Sequence, residues 1–80
     1  MFAKLFETDL GQLLIVRDRD DKTSQPEVRL HMQPPELGIC SIRNRYPDNQ
    51  SGEAAADEFF QSIDQPTATA WARQLLNSIP

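Results

Sequence analysis

The amino-acid sequence predicts an α+β fold, in which a four-stranded antiparallel sheet of two consecutive hairpins precedes two C-terminal helices packed on one face. Three observations support this prediction: an apolar run at residues 13–16, alternation of apolar and polar residues over 27–33, and apolar residues at helical spacing after residue 53. Strand signals come first and helix signals last, which favours α+β over an alternating α/β arrangement.

Length and composition indicate one small domain. The chain has 80 residues, of which 39% are hydrophobic and 25% charged, values typical of a globular protein with a thin core. We expect a single domain over residues 1–80, with a β-sheet part at 1–46 and a helical part at 47–80. No stretch approaches the roughly 20 apolar residues that span a bilayer, and the N-terminal sequence has no secretory pattern.

The apolar run at residues 13–16 predicts a strand that is buried on both faces. It is rich in branched residues and lies between Gly11 and a charged run at residues 17–21, where the polar connection to the third strand begins. A preceding strand is expected at residues 2–8. Because strand side chains alternate, the run divides into Leu13 with Ile15 on one face and Leu14 with Val16 on the other.

A turn at residues 9–11 is expected to join the first two strands. Glycine at the end of a three-residue loop suits a type I turn followed by a bulge. This geometry sets Phe6 near Leu14 and Leu5 near Ile15. A two-residue loop would shift the pairing by one position.

The third strand is predicted at residues 27–33, where strict alternation indicates a half-buried antiparallel strand. Pro34 and Pro35 must interrupt it, because proline lacks the N–H that a strand ladder needs. The sole histidine, His31, falls on the polar face, opposite Gly38 if the proline turn is tight. The apolar face consists of Val28, Leu30 and Met32.

A fourth strand is expected from Leu37 to about Arg45. Leu37 and Ile39 would continue the buried face. Cys40 and Ile42 would fall on the opposite face.

Two helices are expected in the remainder. Ser51 or Gly52 can cap a first helix that starts at Glu53, and residues 64–67 interrupt the pattern and restart it. Residues 59–63 could instead form a short fifth strand. The second helix has an amphipathic stripe made of Ala68, Trp71, Ala72, Leu75, Leu76 and Ile79, with Trp71 expected to pack against the sheet.

Two helices can cover only one face of the sheet, whereas the first hairpin is apolar on both. We therefore expect an exposed apolar patch on the uncovered face, which would mark a contact with a protein partner or a second copy in a homodimer. Strong twist, or helices on opposite sides of the sheet, would instead close over both faces. The expected interface consists of Leu5, Leu13, Ile15, Cys40 and Ile42.

The net negative charge of the chain arises in the helical part. The net charge is −4; residues 1–46 sum to zero, and the rest has five acidic side chains against Arg73 alone. This half would repel nucleic acid and anionic membranes. An alternative function follows, an acidic inhibitor or nucleic-acid mimic that presents these carboxylates to a basic partner. The expected acidic face consists of Asp48, Glu53, Asp57, Glu58 and Asp64.

No constellation of residues predicts catalysis, a metal or a cofactor. His31 and Cys40 lack an orienting third group, and residues 18–22 begin like a calcium loop but place Arg29 at the last ligand position. Arg43 and Arg45 beside a single aromatic are too small a patch for nucleic acid.

We expect a non-enzymatic, cytoplasmic protein-interaction module that has no cofactor and does not bind a membrane. The single cysteine fits a reducing compartment. The small size, the acidic C-terminal half and the lack of motifs resemble accessory proteins of phages and mobile elements in a general way, and no family is recognised.

Overall fold

The computed structural model describes residues 2–32 and 40–77, and the expectations for Pro34, Pro35 and residues 37–39 lie outside that range, as does the one for Ile79. Four strands form one antiparallel sheet in the order β1-β2-β3-β4. Two helices follow, so the predicted α+β class is confirmed. The elements are β1 (Phe2–Thr8), β2 (Gly11–Arg19), β3 (Pro26–Met32), β4 (Cys40–Arg45), α1 (Gln50–Ser62) and α2 (Gln65–Asn77).

The first hairpin differs from the prediction by one residue. Its loop contains two residues, because Thr8 pairs directly with Gly11, whose φ of 131° favours glycine. Leu5 therefore lies opposite Leu14, and not opposite Ile15 as the three-residue loop predicted. A shift of one residue moves a side chain to the other face of its strand, so the register decides which apolar residues are covered.

The core lies between one face of the sheet and both helices. Leu13 and Ile15 pair with Met32 and Leu30 of β3, and all four are fully buried. From the two helices and the residue that follows α1, the core includes Ala56, Phe60, Ile63, Ala68, Ala72 and Leu75. The apolar run of β2 is thus fully buried on this face, whereas on the other face Val16 is buried and Leu14 is 38% exposed.

The predicted exposed face of Leu5, Leu13, Ile15, Cys40 and Ile42 is therefore wrong as a single surface. Leu13 and Ile15 lie under the helices, and Ile42, opposite Leu30, packs against the same core. Leu5 points to the other side of the sheet and is 58% exposed. Cys40 pairs with Met32 in the backbone register, and the expectation for its side chain lies outside what the structure describes.

Helix α1 begins earlier than predicted because Asn49, rather than Ser51 or Gly52, caps it. The Asn49 Oδ1 accepts a hydrogen bond of 2.8 Å from the Gly52 N–H, and its extended backbone precedes the first turn. The helix continues to Ser62, so a fifth strand at residues 59–63 is excluded.

Side chains on the sheet and on α2 fix the helices in place. The Lys4 ammonium donates to the carbonyl of Phe60 at 2.7 Å, where the negative end of the α1 dipole favours a cation. Trp71 of α2 meets the Phe59 ring edge-on, with centroids 5.9 Å apart. In the described residues, neither helix is long and apolar enough to cross a membrane.

Candidate functional site: the uncovered sheet face

The sheet face opposite the helices has an apolar half and a charged half. Leu5 and Leu14 are cross-strand neighbours on β1 and β2, and both are exposed. Next to Leu14 across β3 and β4 come His31 and Ser41, which pair with each other. The predicted partner of His31, Gly38, is therefore incorrect. Two adjacent exposed leucines thus form an apolar strip on this face, which Ala3 and Val16 extend along the same two strands.

The charged half surrounds a cavity of about 290 Å³. We call its six central charged side chains the charged cluster; they comprise three carboxylates and three guanidinium groups, contributed by β2, β3, β4 and the connection between β2 and β3. The charged cluster consists of Asp18, Asp20, Glu27, Arg29, Arg43 and Arg45.

Glu27 lies at the centre of the charged cluster and is only 3% exposed. Its Oε1 is 3.4 Å from the Nε of Arg29. Its Oε2 is 3.5 Å from the Nε of Arg43 and 3.9 Å from that of Arg45. Arg29 and Arg43 lie directly opposite each other, and like charges in that position repel. The Glu27 carboxylate between them therefore offsets their repulsion.

The other two carboxylates of the charged cluster, Asp18 and Asp20, also bind arginines. Asp18 accepts a hydrogen bond of 3.1 Å from Arg29, and Asp20 accepts one of 2.9 Å from Arg45. Asp20 also accepts bonds from the backbone N–H groups of Lys22 and Thr23. These backbone bonds, followed by the Arg45 charge, lower the pKa of Asp20 below its usual value. The cluster is thus tied to the β2–β3 connection.

His31 is expected to make the protein less stable in mildly acidic solution. Burial, followed by the positive charges of Arg29 and Arg43, lowers the pKa of His31 below the ordinary histidine value of 6.5. The folded protein binds this proton less tightly than the unfolded chain does. The free energy of unfolding should therefore decrease as pH falls from about 6.5 towards the lowered folded-state pKa.

Urea unfolding between about pH 7 and pH 5 measures this effect. We expect His31→Gln to remove that part of the pH dependence and to keep the acid-induced loss that begins at lower pH, where carboxylates such as Asp20 become protonated. An unchanged slope in the variant would contradict the assignment to His31.

The predicted acidic face is largely used to hold α1 and α2. Arg17, only 8% exposed, binds Glu53 at 2.6 Å and Asp57 at 2.8 Å, and so ties α1 to β2. Arg19 binds Glu53 and also Asp48, the latter at 3.0 Å.

Asp64 accepts a hydrogen bond from the Thr67 N–H in the first turn of α2, and the Thr67 bonds lower the pKa of Asp64. Glu58 is exposed on α1. The five carboxylates therefore do not form one free anionic surface.

The remaining sequence candidates are His31, Tyr46 and the acidic side chains, since the side chain of Cys40 lies outside what the structure describes. Among the described residues, no three His, Cys, Asp or Glu side chains form a metal-binding group. Tyr46 packs partly against the core, where burial raises its pKa, so it offers no stacking platform beside Arg43 and Arg45.

The sequence predicts Arg43 and Arg45 on one sheet face, with Arg17 or Arg29 near them. Arg29 does lie there, whereas Arg17 binds α1 on the other face. Glu27 was not predicted as part of this site. The signal that could have identified Glu27 is its place two residues before Arg29 on the polar side of β3.

These features define a small α+β protein whose uncovered sheet face combines two exposed leucines with a charged cavity. Comparison of the chain with models of protein families, with curated proteins and with solved structures gives no match.

Proposed function

We propose that this chain is a small, non-enzymatic protein-interaction module that binds a protein partner through its uncovered sheet face. The observation that carries the proposal is the pair of exposed leucines, Leu5 and Leu14, on a face that neither helix covers. Adjacent exposed apolar side chains beside polar ones are typical of contact sites. The single cysteine is consistent with action in the cytoplasm.

The apolar strip is too small to form a stable interface by itself. A stable interface buries about 800 Å² on each partner, which two leucines cannot supply. The partner must therefore also contact the charged half of the face. The acidic-inhibitor alternative receives less support, because Arg17 and Arg19 already bind Glu53, Asp57 and Asp48.

The double replacement Leu5→Ser with Leu14→Ser tests this proposal. Crosslinking in extracts of the native host identifies the partner, and its affinity is then measured with both proteins purified. We expect the double variant to bind at least about tenfold more weakly and to remain folded, because both side chains are partly exposed and lie outside the core.

Phe2→Ser is the matched control, since Phe2 is 68% exposed and lies on the other face of β1. Its affinity should equal that of the original chain. Equal affinities for the control and the double variant would contradict the proposal. A concentration-dependent dimer in sedimentation, lost only in the double variant, would identify a second copy as the occupant.

A further inference from the structure

The floor of the charged cavity contains an acceptor without a donor. The Oε2 atom of Glu27 is buried and accepts no hydrogen bond, although Arg43 and Arg45 lie at ion-pair distance. The Nε of Arg29, beside the other carboxylate oxygen, donates none. A buried charged oxygen that lacks a hydrogen bond is costly, so this site favours an occupant that donates to Glu27.

The sides of the cavity supply donors. The side chains of Arg43 and Arg45 are 48% and 47% exposed. In the described part of the chain, their contacts with carboxylates are all made through Nε, so the terminal nitrogens of both guanidinium groups remain able to donate. Guanidinium groups bind the oxygens of oxyanions through paired hydrogen bonds.

These two requirements restrict the chemistry of the ligand. A fully ionised carboxylate would satisfy the arginines but would add a negative charge beside Glu27 and leave Oε2 without a donor. A cation would satisfy Glu27 but would meet Arg29, Arg43 and Arg45 at close range. An oxyanion that still carries a proton can both accept and donate.

We infer that the cavity binds a protonated oxyanion, namely phosphate, whose oxygens accept hydrogen bonds from Arg43 and Arg45 while its P–OH donates to Oε2 of Glu27. A cavity of about 290 Å³ has room for one phosphate group with water around it. Inorganic phosphate keeps a proton at neutral pH, whereas sulfate keeps none. The buried Glu27 thus makes the site selective between two anions of nearly equal size and shape.

The test is a titration of the full chain with phosphate and with sulfate at constant ionic strength, followed by backbone amide NMR. Phosphate should shift the amides of Glu27, Arg43 and Arg45 saturably. Sulfate should bind at least about tenfold more weakly, since it leaves the buried Oε2 unpaired. Equal binding of both anions, or no saturable phosphate shift because water alone fills the cavity, would overturn the inference.

Two variants and a control separate the roles of the side chains. Arg43→Gln should weaken phosphate binding at least about tenfold, whereas Arg73→Gln, which removes the same charge from an exposed position on α2, should leave it unchanged. Glu27→Gln should abolish the preference for phosphate, because the amide can donate to sulfate. If Glu27→Gln does not fold, the anion preference of the original chain and the Arg43→Gln result decide the matter.

A second titration, with phosphoserine, distinguishes a phosphorylated side chain from inorganic phosphate as the ligand. Phosphoserine loses its last proton near pH 6, so as a ligand it should bind more tightly below that pH than above it, whereas inorganic phosphate should bind at both. Loss of all phosphate binding in Arg73→Gln as well would overturn the inference, because it would show a general charge effect. These measurements use the isolated chain, so their outcome is independent of the proposed protein partner.

Discussion

Replacing Gly52 by alanine should destabilise the protein by about 3 kcal/mol, although glycine-to-alanine changes inside helices usually stabilise by about 1 kcal/mol. A Cβ atom at Gly52 would overlap the carbonyl oxygen of Pro47 and lie 2.7 Å from its carbonyl carbon. Pro47 cannot easily move, because its carbonyl also accepts a 2.9 Å hydrogen bond from the Asn49 N–H. Chemical denaturation measures the loss.

Ser51→Ala is the matched control for Gly52→Ala. Ser51 is the preceding residue in the same helical turn and is exposed, so its replacement should change the free energy of unfolding by less than about 0.5 kcal/mol. If Gly52→Ala stabilises the protein, the Pro47 carbonyl lies farther from Gly52 than the structure shows. Equal destabilisation of both variants would contradict the overlap at Gly52, because it would show that any replacement in this turn is unfavourable.

Leu13→Ala should lower the free energy of unfolding by about 2–4 kcal/mol. Leu13 is fully buried between β1, β3 and the helices, so its removal loses apolar burial and leaves a cavity. The neighbouring Leu14→Ala should cost less than about 1 kcal/mol, because Leu14 faces the uncovered side. Urea unfolding of the two variants under identical conditions gives the comparison.

This pair of variants also separates two arrangements of the sheet. If Leu13 lay on the uncovered sheet face, as predicted from the sequence, the two replacements would have comparable small effects on stability. If Leu13 faces the helices, Leu13→Ala unfolds at a clearly lower urea concentration than Leu14→Ala. Leu14→Ala should instead affect partner binding, as in the Leu5 and Leu14 double variant described above.

The elements of the fold could be predicted because their signals are local. Alternation identified β3 and its buried face of Val28, Leu30 and Met32, and helical spacing identified both helices. The start of α1 was missed by three residues, since Asn49 and Ser51 both have capping side chains. Only the bond from Asn49 to the Gly52 N–H shows which of them caps.

The candidate site was harder to predict, because it depends on side chains that are distant in sequence. Glu27 and Arg43 are 16 positions apart, and they meet only because β3 and β4 pair with Glu27 opposite Arg45. The burial of Glu27 depends on the flanking arginines and the β2–β3 connection. The acidic residues of α1 are a similar case, because Glu53 and Asp57 bind Arg17 of β2, which is distant from them in the sequence.

By itself, the sequence determined the number, order and type of the elements, since alternation, helical periodicity and turn chemistry depend on residues that are near one another in the chain. Tertiary structure alone decided the rest. The two-residue loop before Gly11 set the register of the first hairpin and so placed Leu5 beside Leu14 on the uncovered face. The pairing of β2 with β3 placed Leu13 and Ile15 on the buried face of Leu30 and Met32. Strand pairing then brought Glu27 and its arginines together. A one-residue shift reverses the faces of a strand, and no local pattern in this chain chooses between the two registers.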